Sequence, residues 1–243
     1  MQPPLRERRV PHAGLSMVEL LVSMIIVTIV GTMLVAGWIS LQRSFAFAQA
    51  KNTARATARD ALERMSSEIR GAQPTAVSIT PFNFVQPSGI AAMPTVGGPY
   101  ACVFYSAYNY SPAGPTDTPR SDGTGTAKLR LTALWLDASG SAAQKTLYWQ
   151  RDVDNNGLDA NDRKIILARD VVNTAAGVNK NIFTYFFRDE TTGVYSQSNS
   201  LTSTSVATLV SVQIELVVDA NLSRTPSYVD VKTTLRPRNP GAN

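Results

Sequence analysis

The chain has 243 residues, 44% of them apolar and only 17% charged, with one cysteine, one histidine and a formal net charge of +5. That length allows one large or two small domains, and the charge content lies below the roughly 25% of an ordinary soluble domain, which points to a local concentration of apolar residues. One cysteine and one histidine exclude an internal disulfide, a cysteine-based zinc cluster and a multi-histidine metal centre.

Residues 1–14, MQPPLRERRVPHAG, form a short basic leader in which Arg6, Arg8 and Arg9 stand against Glu7. Residues 20–42 then run for 23 positions without a charge. As a helix rising about 1.5 Å per residue this stretch is roughly 34 Å long, enough to cross a hydrocarbon core. Arg43 closes the span on the far side. The larger positive cluster should stay cytoplasmic, so the N-terminus is expected inside and everything after Arg43 outside. A cleaved secretory signal shares the basic-then-apolar order, but its apolar core is about 7 to 15 residues and gives way to a polar mature start. Here Ala36 and Gly37 are followed by Trp38 and further apolar residues, so the span is expected to remain in the mature protein.

Glu19 stands one residue before the charge-free run. A carboxylate costs about 2.5 to 3.5 kcal/mol at a bilayer centre and less near the interface, so it either snorkels to the headgroups or has a partner. The segment Gly14-Leu15-Ser16-Met17-Val18-Glu19, continued by Leu20-Leu21-Val22, resembles the class III leader junction of type IV pilins and type II secretion pseudopilins, whose common form is G-F-T-L-I-E-L-L-V. Leu15 in place of phenylalanine and Ser16 in place of threonine are mild departures. The resemblance implies that a prepilin peptidase cuts after Gly14 and methylates the new amino terminus at Leu15. It further implies that Glu19 attracts the terminal amine of a neighbouring subunit during assembly. Such pairing offsets the cost of a carboxylate in a low-dielectric setting. The partners so implied are other pilin subunits, the prepilin peptidase, an inner-membrane assembly platform and the lipid bilayer. The expected location is the bacterial inner membrane before assembly and a pilus or pseudopilus after it.

Residues 43–70 keep a helical pattern without proline or glycine: Phe47, Ala50, Ala54, Ala58, Ala61, Met65 and Ile69 recur every three or four positions. Lys51, Arg55, Arg59, Asp60, Glu63, Arg64, Glu68 and Arg70 fill the intervening ones, and Gly71 and Pro74 mark a stop. The spacing predicts one helix over residues 15–70, about 84 Å long. Its first half, 15–42, would cross the membrane or enter a filament core. Its second half, within an amphipathic stalk at 43–73, would lie under a globular head with its alanine stripe in close contact.

From residue 76 the period changes from helical to two. In 206–218 the pattern puts Val206, Val210, Val212, Ile214, Leu216 and Val218 on one face and Ser211, Gln213 and Glu215 on the other. Further strands are expected at 102–108, 128–136, 146–151, 164–168, 182–187 and 227–235. No helical pattern alternates with them. The expected fold is therefore α+β: a long N-terminal helix packed against an antiparallel β-rich head at 74–236, a lollipop of the pilin kind, with a fraying tail at 237–243. Segments 111–126 and 190–205 read as long loops low in apolar residues.

Asp152, Asp154, Asn156, Asp159 and Asp162 crowd one segment around Gly157. Oxygen-bearing side chains at alternate positions before a glycine resemble the first half of an EF-hand loop, but Arg163 stands where a bidentate glutamate belongs. Two readings stay open here: a shortened Ca²⁺ loop, and a hairpin turn organised by Asn156-Gly157. Cys102 reads as a small buried apolar residue, and Trp135, Tyr148, Trp149, Phe183, Tyr185, Phe186 and Phe187 as core and sheet-face residues. There is no phosphate loop, nucleophile elbow or histidine acid/base pair, so assembly is expected and catalysis is not; no cofactor is required. Lys128, Arg130, Arg120 and Arg151 form no dense basic run of the kind nucleic acid needs. The large head and the segment ALERMSSEIRGAQ resemble PilW-type minor pilins, which help prime filament assembly. A J-type pseudopilin and a tip-exposed adhesin or DNA-uptake module are the alternatives.

Overall fold

A computed structural model describes residues 16–72, 90, 93–106, 130–137, 139, 145–152, 158–189, 191–202, 208–219 and 228–237. Two compact units emerge, Met1–Ala48 and Gln49–Asn243. One helix, α1 (Met17–Arg70), supplies the described part of the first unit and enters the second. It ends where Gly71 and Ala72 donate back to the carbonyls of Ser67 and Ile69 at 3.0 and 3.1 Å. Those bonds satisfy carbonyls that the last turn would leave open.

In the first unit every side chain of residues 20–45 except Gly31 is exposed. This stretch is long and apolar enough to cross a membrane. Several of its hydroxyls bond back to the helix: Ser23 donates to the carbonyl of Glu19, Thr28 to Met24 and Thr32 to Ile29. Back-bonding of this kind lets an apolar helix carry serine and threonine without a solvent partner.

The second unit holds eight described strands: β1 (Ala101–Ser106), β2 (Arg130–Leu136), β3 (Lys145–Arg151), β4 (Arg163–Val171), β5 (Phe183–Arg188), β6 (Tyr195–Ser198), β7 (Leu209–Asp219) and β8 (Tyr228–Leu235). All pairings are antiparallel, in the order β1-β2-β3-β4-β7-β5-β6, with β8 on β7. β8 runs along one edge of β7 while β5 and the end of β4 share its other edge. The α+β architecture is thus a helix packed on an antiparallel sheet.

The helical stripe reaches the core where expected. Ala54, Ala58, Ala61, Met65 and Ile69 are buried against Cys102, Phe104, Leu134, Leu147, Trp149, Tyr185, Val212 and Ile214. Alanine at three successive turns keeps the helix axis close to the sheet, because no longer side chain separates the two surfaces. A second cluster, with Met93, Val96, Trp135 and Leu158, covers the opposite face of β1 to β3. Fully buried Asn173 fastens the turn after β4 to β7: its Oδ1 accepts from Val217 N at 2.8 Å, and its Nδ2 donates to the carbonyls of Glu215 and Lys180 at 2.8 and 3.2 Å.

Two expectations need correction. The segment 190–205 is not wholly a loop, since it contains β6. This strand pairs with β5 alone and leaves Tyr195, Ser196 and Gln197 exposed, so it has no buried face to impose an apolar alternation. In β7 the alternation breaks at its start, where Leu209 is buried and Val210 is only half-buried. Phe186 opposes Ser211 and Phe187 opposes Leu209, so Val210 is the extra residue of a β-bulge that flips the phase. Segment 111–126, Val206 and the tail from 238 lie outside the described residues.

Candidate functional site

Of the three residues at the N-terminal junction, Gly14 and Leu15 lie outside the described residues and Glu19 is in the first turn of α1. Ser16 precedes the helix as its N-cap. The Glu19 carboxylate Oε2 accepts from Ser16 N at 3.0 Å, and Glu19 N donates to Ser16 Oγ at 3.4 Å. These reciprocal bonds are a capping box: two N–H groups that a helix start leaves unpaired each find an acceptor. The Ser-x-x-Glu spacing at 16–19 is the sequence signal of that box. The second carboxylate oxygen, Oε1, has no partner among the described residues. A cap therefore uses half of this carboxylate and leaves the other half able to accept from a cation.

The acidic segment spans the β3–β4 hairpin. Arg151 and Arg163 form the last strand pair, which puts buried Asp152 and Asp162 at the neck of the loop. Asp162 Oδ2 accepts from Asp159 N at 2.7 Å, and Asp159 Oδ1 accepts from Asn161 N at 2.7 Å. Gln150 adds a bond from Nε2 to the Asp159 carbonyl. These bonds account for Asp159 and Asp162 as turn-forming residues of a hairpin. Asp154 and Asn156 lie outside the described residues, and among the described residues no three acidic, histidine or cysteine side chains are grouped to hold a metal ion.

A second polar site was not anticipated. Glu68, one of the charges between the apolar positions of the stalk, is buried on the helix face that meets the sheet. Its carboxylate receives Arg151 Nη2 at 3.0 and 3.3 Å and Ser106 Oγ at 3.2 Å. Arg151 also donates from Nε to Thr132 Oγ1 at 3.4 Å and lies 4.9 Å from the centroid of the Trp149 ring. Burial pushes the Glu68 carboxyl above the usual carboxylate range, and the Arg151 charge opposes that rise without cancelling it. The Trp149 indole N–H lies beside the same carboxylate but makes no well-aligned hydrogen bond. Glu68 sits seven residues after Ala61, so its place on the buried stripe was visible; its partner, 83 positions away, was not.

Beside this pair a groove of about 230 Å³ runs between the helix and the sheet. Asp60, Glu63, Arg64 and Ser67 form its helix wall, and Trp149, Ile165 and Leu167 its floor. Asp60 holds Arg64 at 3.2 Å. Cys102 is buried as expected, and burial pushes its thiol up to about 12 despite a stabilising contact from the Tyr185 hydroxyl. No family model, curated protein or solved structure matches this chain.

Proposed function

We propose that this chain is a structural subunit, a minor pilin, of a type IV pilus or a closely related pseudopilus. The reading is carried by one observation: an exposed, charge-free helical run begins directly after Glu19, within a segment resembling the class III leader junction. An apolar helix with no protein against it needs a bilayer or the matching helices of other subunits. Both environments serve a filament subunit in turn, first the inner membrane and then the filament. The half-used carboxylate of Glu19 is the acceptor for an incoming subunit's amine, and its capping bond to Ser16 holds it in place until then. The work of this protein is assembly, with the head outside the cytoplasm.

Mass spectrometry of the membrane-extracted protein tests this reading. The expected N-terminus is methylated Leu15, and an intact leader or a cut elsewhere removes the assignment. A pseudopilus would use the same steps in a different machine. Neighbouring genes for minor pilins or for a secretion channel separate the two.

A further inference from the structure

Within residues 49–70, Lys51, Arg55, Arg59, Glu63 and Ser67 recur every fourth position and make one ridge on the helix. Its charge is segregated, with three cations first and a carboxylate after them. Arg55, Arg59 and Glu63 are exposed, and none of the four charged side chains forms an ion pair among the described residues. Arg59 and Glu63 are neighbours at i,i+4, but in the cation-first order that gives the weaker helical pair.

The acidic end of the ridge rims the groove over Trp149, Ile165 and Leu167. With Asp60 already engaged by Arg64, Glu63 is the carboxylate at that rim without an ion pair among the described residues. An apolar floor under an acidic rim suits the aliphatic stem and charged head of an arginine or lysine. This chain presents such side chains itself, eight residues earlier on the same ridge.

Two copies with parallel helices, as a shared membrane orientation requires, would oppose like charges when level. Displaced by eight residues, about 12 Å along the axis, they would set Arg55 against Glu63. We propose that the Lys51–Arg55–Arg59 end of one copy docks at the Glu63 groove of a second copy so displaced. Helices that share one membrane orientation lie parallel and cannot make this contact reciprocally, so it is head-to-tail and leaves a patch open on each copy for a further subunit. This deepens the filament reading and rests on it.

The test is cysteine cross-linking of the full chain in membranes. Two differently tagged copies are co-expressed, one carrying Arg55→Cys and the other Glu63→Cys, and treated with a short bis-maleimide. Cys102 is buried and contributes nothing. The Arg55–Glu63 product should dominate, and equal or greater yield between two Arg55 sites, or no product, overturns the docking. In parallel, R55E/R59E should weaken self-association of the detergent-extracted chain roughly tenfold, the combined effect of a few partly exposed ion pairs, and E63R in the second copy should restore it. These positions are exposed, so the melting temperature should stay unchanged. Incorporation of R55E/R59E into filaments at the normal level would overturn the docking and leave the filament reading standing. An unprocessed N-terminus would remove the filament reading whatever the cross-links show.

Discussion

The carboxylate of Glu68 and the guanidinium of Arg151 meet at 3.0 and 3.3 Å, with side chains only 2% and 3% exposed. They join the last turns of α1 to the end of β3, with Ser106 and Thr132 as their polar neighbours at the edge of the apolar core. A buried ion pair contributes little net stability against well-packed apolar residues, but it is costly to break one-sidedly. Its consequence is registration: the helix cannot slide along the sheet without stranding a charge.

The two halves of the pair should respond unequally to substitution. Glu68→Gln leaves a buried guanidinium that cannot lose its charge and should cost about 3 to 5 kcal/mol, whereas Arg151→Met leaves a carboxyl that can take up a proton and should cost less. Because burial raises the folded-state pKa of Glu68, the native state binds this proton more readily than the unfolded state does. Its contribution is therefore full below the ordinary carboxylate range and lost as pH rises through the raised value. Melting temperatures of the detergent-extracted chain from about pH 4.5 to neutrality should show the unsubstituted protein losing ground to E68Q. A constant difference would assign the proton elsewhere.

Glu19 combines a cap and a charge, and the two can be separated. Gln serves as well as Glu in a capping box but carries no charge. On the proposed filament function, Glu19→Gln should be processed normally yet enter filaments as poorly as Glu19→Ala. Normal incorporation of the glutamine variant would mean that the cap alone matters.

The Asp162 carboxylate holds the β3–β4 loop through the Asp159 N–H. Asp162→Ala should lower stability by about 1 to 3 kcal/mol, the cost of stranding a buried hydrogen-bonding group. Thermal melts with EDTA and with added Ca²⁺ should show the same loss in both. A loss confined to the calcium sample would make this loop a metal site.

Cys102 should be inert in the folded protein. With its thiol pushed up to about 12 by burial, almost no thiolate exists at pH 8. Iodoacetamide should leave it unmodified until denaturant is added, as read by mass. Rapid labelling without denaturant would mean that the contact between helix and sheet opens locally.

The periodicity of the chain determined the alanine stripe of the helix and the strands β5 and β7, which alternate between buried and half-buried residues, while β1 to β3, covered on both faces, showed as short apolar runs. Val212 and Ile214 are inside by that alternation, and Ala54, Ala58 and Ala61 by that stripe. The order of strands was not written in any repeat. β7 lies between β8 on one side and β4 with β5 on the other, an arrangement set by which edges remain free once hairpins close. β6 escaped because a strand exposed on both faces has nothing to alternate.

At the sites the division is the same. The Ser16–Glu19 cap is local, and its spacing was legible within a few residues. The use of Glu68 required its partner, and Arg151 becomes that partner only because β3 passes beneath the last turns of α1. A charge on a buried stripe is ambiguous in one dimension: it marks either a broken pattern or half of a pair. Only the packing of helix on sheet decided between them, since the desolvation that makes the pair obligatory arises when the two surfaces close.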